Sequence, residues 1–244
     1  MNRNVKLSTL EIALTACFSA LYAVFCLFPI FQIVGFAGRA ITMAAVIAPV
    51  IGIVLGPHIG VLSTAIGGLV GLSFGHFSPI SLTAGVVTAF FAGALRLGKR
   101  SLCAFTYFAL LFTFGFYPFI GPLWLYPQLM WFQALGFIIL ISPLQSFAVK
   151  NLNNRTDNSK AFFGFFTTCL VSSLAGQIAG SLTSEVLTWP VFLADVNAWR
   201  GIWQLTVWLY PVERVIIAFA AALVSLALQK ALRAVNLKEK AFGC

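Results

Sequence analysis

Long apolar runs, each close to the length of a membrane-crossing helix, fill most of this chain, and polar residues are confined to short breaks between them. We read such segments over residues 10–33, 40–56, 58–74, 79–97, 102–117, 127–149 and 161–186, with a last helix ending near residue 232. Crossing a ~30 Å hydrocarbon core takes ~20 helical residues, and backbone without water must hydrogen-bond to itself there, so the runs predict helices. The expected fold class is therefore all-α: a polytopic membrane helix bundle of about eight transmembrane segments, forming a single integral membrane domain over residues 1–244. Segments 40–56 and 58–74 are short, rich in glycine and separated only by Gly56-Pro57. If residues 40–74 form a re-entrant hairpin instead, about six spans remain.

Charge sets the expected orientation. Four clusters, Arg3 and Lys6; Arg96, Lys99 and Arg100; Lys150, Arg155 and Lys160; Lys230, Arg233, Lys238 and Lys240, hold all but three of the 15 Lys and Arg residues. The exceptions are Arg39, Arg200 and Arg214. Because positive charge marks the cytoplasmic side, both termini and the loops at 96–100 and 150–160 are expected to be cytoplasmic, the protein lying in the cell (plasma) membrane. Composition agrees: 60% of residues are hydrophobic and 9% charged, against about a quarter charged in soluble chains. The net charge of +9 then reflects topology and contact with anionic headgroups of the lipid bilayer, and no nucleic-acid partner is expected. The polar stretch at 150–160 is too short to fold alone.

The start of the chain resembles a signal peptide, and Leu14-Thr15-Ala16-Cys17 matches a lipoprotein cleavage pattern. Glu11, however, interrupts the would-be apolar core, and the run continues through Phe31. Ser8-x-x-Glu11 is moreover a capping box that opens a helix, so a retained first helix is expected. The cysteines, Cys17, Cys26, Cys103, Cys169 and Cys244, show neither CxxC nor metal-ligand spacing, and read as small apolar fillers. No metal site follows from them.

Small residues recur at helical spacing. Gly52, Gly56 and Gly60; Gly67, Gly71 and Gly75; and Gly176, Gly180 and Ser184 make flat grooves that admit a neighbouring backbone, and tight internal packing accounts for them. Ala13, Ala16, Ala20 and Ala23 line one face of the first helix. That stripe fits either an internal helix contact or the docking seam for a separate membrane subunit. No GxxxxGK[ST] sequence occurs, so the chain should not hydrolyse nucleotides by itself. Gly71-Leu72-Ser73-Phe74-Gly75 has the form GxSxG, but His58 would lie some 24 Å away at ~1.5 Å per residue and His76 follows directly, which suits no serine nucleophile. No catalytic residue and no cofactor are expected.

Ionisable residues in or beside apolar spans are stronger pointers, because an unpaired charge in hydrocarbon is costly. Arg39, Glu185, Asp195, Arg200, Glu213 and Arg214 fall on the outer side, with His76. Glu213 and Arg214 follow Pro211, a spacing that also suits a helix start with proline at its first position. Trp124, Tyr126, Trp131, Trp189, Trp199, Trp203, Trp208 and Tyr210 gather on the same side, where interface anchoring explains most of them. One or two beside Gln128, Gln133 or Gln204 would suit a planar solute. Arg39, His76, Gln128, Trp131, Glu213 and Arg214 are the candidate substrate-binding residues.

Residues 8 to 100 resemble the substrate-binding membrane subunits, or S-components, of energy-coupling factor (ECF) transporters. The likeness is carried by the alanine stripe of the first helix with its exit at Phe28-Pro29, by the run Ile47-Ala48-Pro49-Val50-Ile51-Gly52-Ile53-Val54-Leu55-Gly56-Pro57-His58-Ile59-Gly60, and by a fourth segment, Ala84 to Leu97, ending in Arg96-Leu97-Gly98-Lys99-Arg100. The resemblance implies a pocket near the outer face for a small solute such as a vitamin or nucleobase. It also implies docking through the first helix onto a coupling membrane subunit, with two separate ATPase subunits. Members of that family usually have about six helices, and the likeness fades beyond residue 100. Its nickel and cobalt branch is disfavoured, since residues 1–7 hold no histidine. The expected function is a membrane-embedded solute-binding subunit of a small-molecule uptake transporter; the alternative is a structural accessory subunit of a larger membrane complex with no ligand of its own.

Overall fold

The computed structural model describes residues 8–35, 38–117, 121–154, 157–192 and 195–234. Arg3, Lys6, Arg155, Lys238, Lys240 and Cys244, and the side chains of Trp189 and Arg233, lie outside the described residues. Helix α1 (Thr9–Phe25) opens with the expected capping box: the Glu11 N–H donates to Ser8 Oγ at 3.2 Å, and the Ser8 N–H donates to the Glu11 carboxylate at 2.7 Å. The single helix expected over 10–33 is not formed. Pro29 lacks an N–H and disfavours helix at Phe28, so the chain leaves α1 there. Strands β1 (Pro29–Gln32) and β2 (Ala40–Thr42) pair antiparallel in a small hairpin, a local exception to an otherwise helical fold.

Helices α2 (Ala44–Leu55), α3 (Pro57–Gly71) and α4 (Pro79–Arg96) follow. Gly56, at φ 82°, takes a left-handed conformation that a side chain would strain, and so turns the chain between α2 and α3. A Cβ on Gly93 would collide with the backbone of Gly56 and Pro57, and one on Gly52 with the carbonyl of Ala89. Glycine therefore lets both helices lie directly on α4. Arg96 donates to the carbonyls of Ile53 and Val54, two last-turn acceptors with no donor inside α2. At the other end the Ala40 N–H donates to the His76 carbonyl at 3.1 Å. Helix α2 thus runs beside α4 from its beginning to its end, and α3 returns.

The second half holds α5 (Arg100–Phe116), the short α6 (Pro122–Leu125), a 3-10 turn (Pro127–Met130), α7 (Trp131–Ile141) and α8 (Pro143–Asn151). The continuous helix expected over 127–149 is broken at Ser142, where Pro143 cannot donate, and α7 and α8 meet at 68°. Arg100 closes this bend: its guanidinium donates to the carbonyls of Leu140 at 2.7 Å and Ser142 at 2.8 Å, and to Ser146 Oγ at 2.7 Å.

Helices α9 (Asn158–Phe192) and α10 (Val196–Ala234) complete the bundle. Helix α9 is enclosed by protein over most of its length. Of its most apolar window 83% is buried, against 33% for α10, so α9 forms the centre, packed on α4 and α10. Pro211 is interior to α10 and not a helix start. Its missing N–H frees the Val207 carbonyl one turn back, which accepts a long 3.4 Å hydrogen bond from the Trp131 indole.

Among the described residues three helices are long and apolar enough to cross a membrane, Pro79–Arg96, Asn158–Thr188 and Asn197–Leu232, and a fourth is added if the bent pair α7 and α8 counts as one broken span. Thr9–Phe25, Ala44–Leu55, Pro57–Gly71 and Arg100–Phe116 are shorter apolar helices. Successive long segments alternate in direction. Gly71 meets Cys26, Gly176 meets Thr88 and Gly180 meets Ile80, while Gln229 donates to the Leu152 carbonyl and Arg200 to that of Leu125. One end of the bundle accordingly carries Arg96, Lys99, Arg100, Lys150, Lys160 and Lys230, and the other carries the β-hairpin with Arg39, His76, Asp195 and Arg200.

Candidate functional site

A cavity lies among α1, α4, α9 and α10 toward the hairpin end. Its lining has the composition of small-molecule sites, which pair apolar walls with a few placed polar groups. Ile33, Val34 and Thr42 border it from the hairpin, and Phe77, Ser81 and Thr88 from α4 and the residues before it. Tyr22 reaches it from α1, because Gly85 has no Cβ where the tyrosine hydroxyl sits.

Two adjacent stripes on α9 divide the work. Gly176 and Gly180 face α4, where a Cβ on Gly176 would collide with the Ala84 carbonyl and the Thr88 hydroxyl. Ser173, Gln177, Ser181, Ser184 and Glu185, at three- and four-residue spacing, share a neighbouring face and line the cavity. Helix α10 supplies Trp199, Trp203, Tyr210 and Arg214 to the opposite wall, the two indoles 5.6 Å apart between ring centres.

Buried polar atoms are normally hydrogen-bonded. Here Thr42 Oγ1, Ser173 Oγ, both ends of the Gln177 amide, both carboxylate oxygens of Glu185 and Arg214 Nε have no hydrogen-bond partner among the described residues. Glu185 is 3% exposed, Gln177 5% and Arg214 8%. Arg214 does meet its sequence neighbour Glu213, with 3.8 Å from Nη2 to Oε2. Such a set of desolvated donors and acceptors can hold a polar solute by completing its hydrogen bonds.

Of the residues proposed from sequence, Arg214 lines this cavity and Glu213 is buried beside it. The other four do not line it. Arg39 is exposed and donates to the carbonyls of Gly75 at 3.0 Å and Phe77 at 2.9 Å, tying the hairpin to the segment before α4. His76 is exposed and serves through its backbone carbonyl. Gln128 is exposed in the 3-10 turn, and Trp131, 43% exposed, packs on Phe132 and Trp208. Glu185, Trp199 and Trp203 stood among the outer polar and aromatic residues without being selected. Tyr22, Thr42, Ser173 and Gln177 carried no separate signal, although Gln177 and Glu185, eight residues apart in an apolar run, share a helix face. On α1, Ala13, Ala16 and Ala20 are exposed and Ala23 is buried.

Comparison with protein-family models, curated protein sequences and solved structures finds no match to this chain.

Proposed function

We propose that this chain is the membrane-embedded solute-binding subunit of a small-molecule uptake transporter, taking a vitamin-like or nucleobase-like solute and energised by separate ATPase subunits through a coupling membrane subunit. The cavity carries this reading: it brings six aromatic side chains, Tyr22, Phe77, Phe114, Trp199, Trp203 and Tyr210, together with buried polar groups that lack partners. An accessory subunit without a ligand would gain nothing from leaving Gln177 and Glu185 unsatisfied, since each costs stability. Mass spectrometry of small molecules released from the purified protein tests it. A solute retained by the native protein and lost from Gln177→Leu supports the reading; identical, solute-free preparations of both overturn it.

The membrane arrangement belongs to the same proposal. Eight apolar segments, α1 to α5, the α7–α8 pair, α9 and α10, cross the plasma membrane with both termini cytoplasmic. The alternation of direction and the gathering of lysines and arginines at one end of the bundle support this. In a background without native cysteines, an external thiol reagent should label Asn197→Cys and spare Lys150→Cys. Docking uses the exposed alanines of α1: Ala16→Leu and Ala20→Leu should weaken capture of the coupling subunit without changing solute binding.

A further inference from the structure

We infer that the solute is an organic cation with a flat, N–H-bearing head, its charge balanced by Glu185; this assignment of substrate class rests on reading the cavity as a solute site. Among the described residues Glu185 is the one carboxylate on the cavity wall, and neither of its oxygens accepts a hydrogen bond. The wall's one guanidinium, Arg214, already has Glu213 beside it at 3.8 Å, and among the described residues no ion pair joins it to Glu185. A bound cation would let Glu185 ionise with its charge balanced, a role Arg214 does not fill because it is already shared with Glu213. A buried ionised carboxylate is costly until a cation meets it.

The rest of the wall suits the same guest. Trp199, Trp203 and Tyr210 offer aromatic faces, which attract cations through the negative charge above the ring. On the Glu185 side, the Gln177 carbonyl and the hydroxyls of Ser173, Ser181 and Ser184 can accept from N–H groups around a planar head. An anionic solute would place like charges together with only a guanidinium already beside Glu213 to relieve them. An amidinium or a protonated amino-heterocycle, by contrast, supplies both the charge and the donors.

Three probes of one shape separate charge from fit: benzamidinium, neutral benzamide and anionic benzoate. Their affinities are read from the rise in melting temperature of the full-length protein in detergent across a concentration series. Benzamidinium should bind roughly 10-fold or more tighter than benzamide, as one charge-assisted hydrogen bond in a desolvated site implies, and benzoate should bind weakest. Glu185→Gln should bring the benzamidinium-to-benzamide ratio near one while benzamide binding persists, and Glu185→Ala should do the same if the glutamine variant is poorly folded. Equal affinities, or a preference for benzoate, would overturn the cation assignment and leave the solute site standing. Failure of all three probes, together with solute-free mass spectra of the native protein, would overturn both.

Discussion

Arg96 and Arg100 at one end of this bundle and Arg214 toward the other are treated in opposite ways. At the basic end, Arg96 and Arg100 reach into the protein and meet carbonyls left over at the ends of α2 and α7; Arg100 alone donates to three oxygens. In the cavity, Arg214 is buried with Nε unpartnered, facing a space bordered by the unpartnered Gln177 and Glu185. The first arrangement repairs breaks in backbone hydrogen bonding that proline and glycine create. The second leaves polar groups without protein partners, which folding alone does not favour. The two ends thus differ in whether a desolvated polar group finds its hydrogen bonds within the described protein.

Substitutions can break or sharpen this contrast, and the largest effect should come from the packing that brings the cavity wall together. Gly176→Leu would force α9 away from the Ala84 carbonyl and Thr88, and we expect a loss of about 3 kcal/mol or more with collapse of solute binding, measured by thermal unfolding in detergent. Arg100→Ala should cost about 2 to 3 kcal/mol by stranding the acceptors at the α7–α8 bend, with solute affinity unchanged. Lost affinity at unchanged stability in that variant would erase the distinction between the two ends.

The cavity should behave in the reverse manner. Gln177→Leu removes an amide with neither end satisfied, so the solute-free protein should gain about 1 kcal/mol while binding is lost. A destabilised solute-free protein would mean that the amide is satisfied in solution, and would weaken the contrast directly. Arg39→Gln should cost under about 1 kcal/mol, since its bonds to Gly75 and Phe77 are made by an exposed side chain.

The smallest effect should be a pH dependence at the start of α9. The Lys160 backbone N–H, with help from the Lys160 side chain and the Ser159 N–H, holds the Asp157 carboxyl below its ordinary range. A lowered folded-state pKa contributes stability above the unfolded value and loses it as pH falls through the folded one. Acid titration of stability should therefore show a small loss below the usual aspartate range that Asp157→Asn removes.

The all-helical character with long apolar helices, the approximate position of most apolar segments, the first-helix capping box and the gathering of the described basic residues at one end followed from the sequence alone. Each depends on residues close together in the chain: an apolar run is long or short, and Ser8 stands three residues from Glu11, whatever the rest of the molecule does. Local patterns misjudged three features. Phe28-Pro29 ended a helix and began a strand, Pro143 bent one, and Pro211 was absorbed within α10, where Trp131 donates to the Val207 carbonyl. Proline has the same missing N–H in all three places, and only the surroundings decide whether another donor takes over. The cavity was still less legible, because its wall draws on residues from Tyr22 to Arg214, aligned by close approaches at Gly85, Gly176 and Gly180. Lacking a partner is a property of neighbours in space, so nothing in the letters around Gln177 or Glu185 distinguishes them from satisfied core residues until the helices are packed.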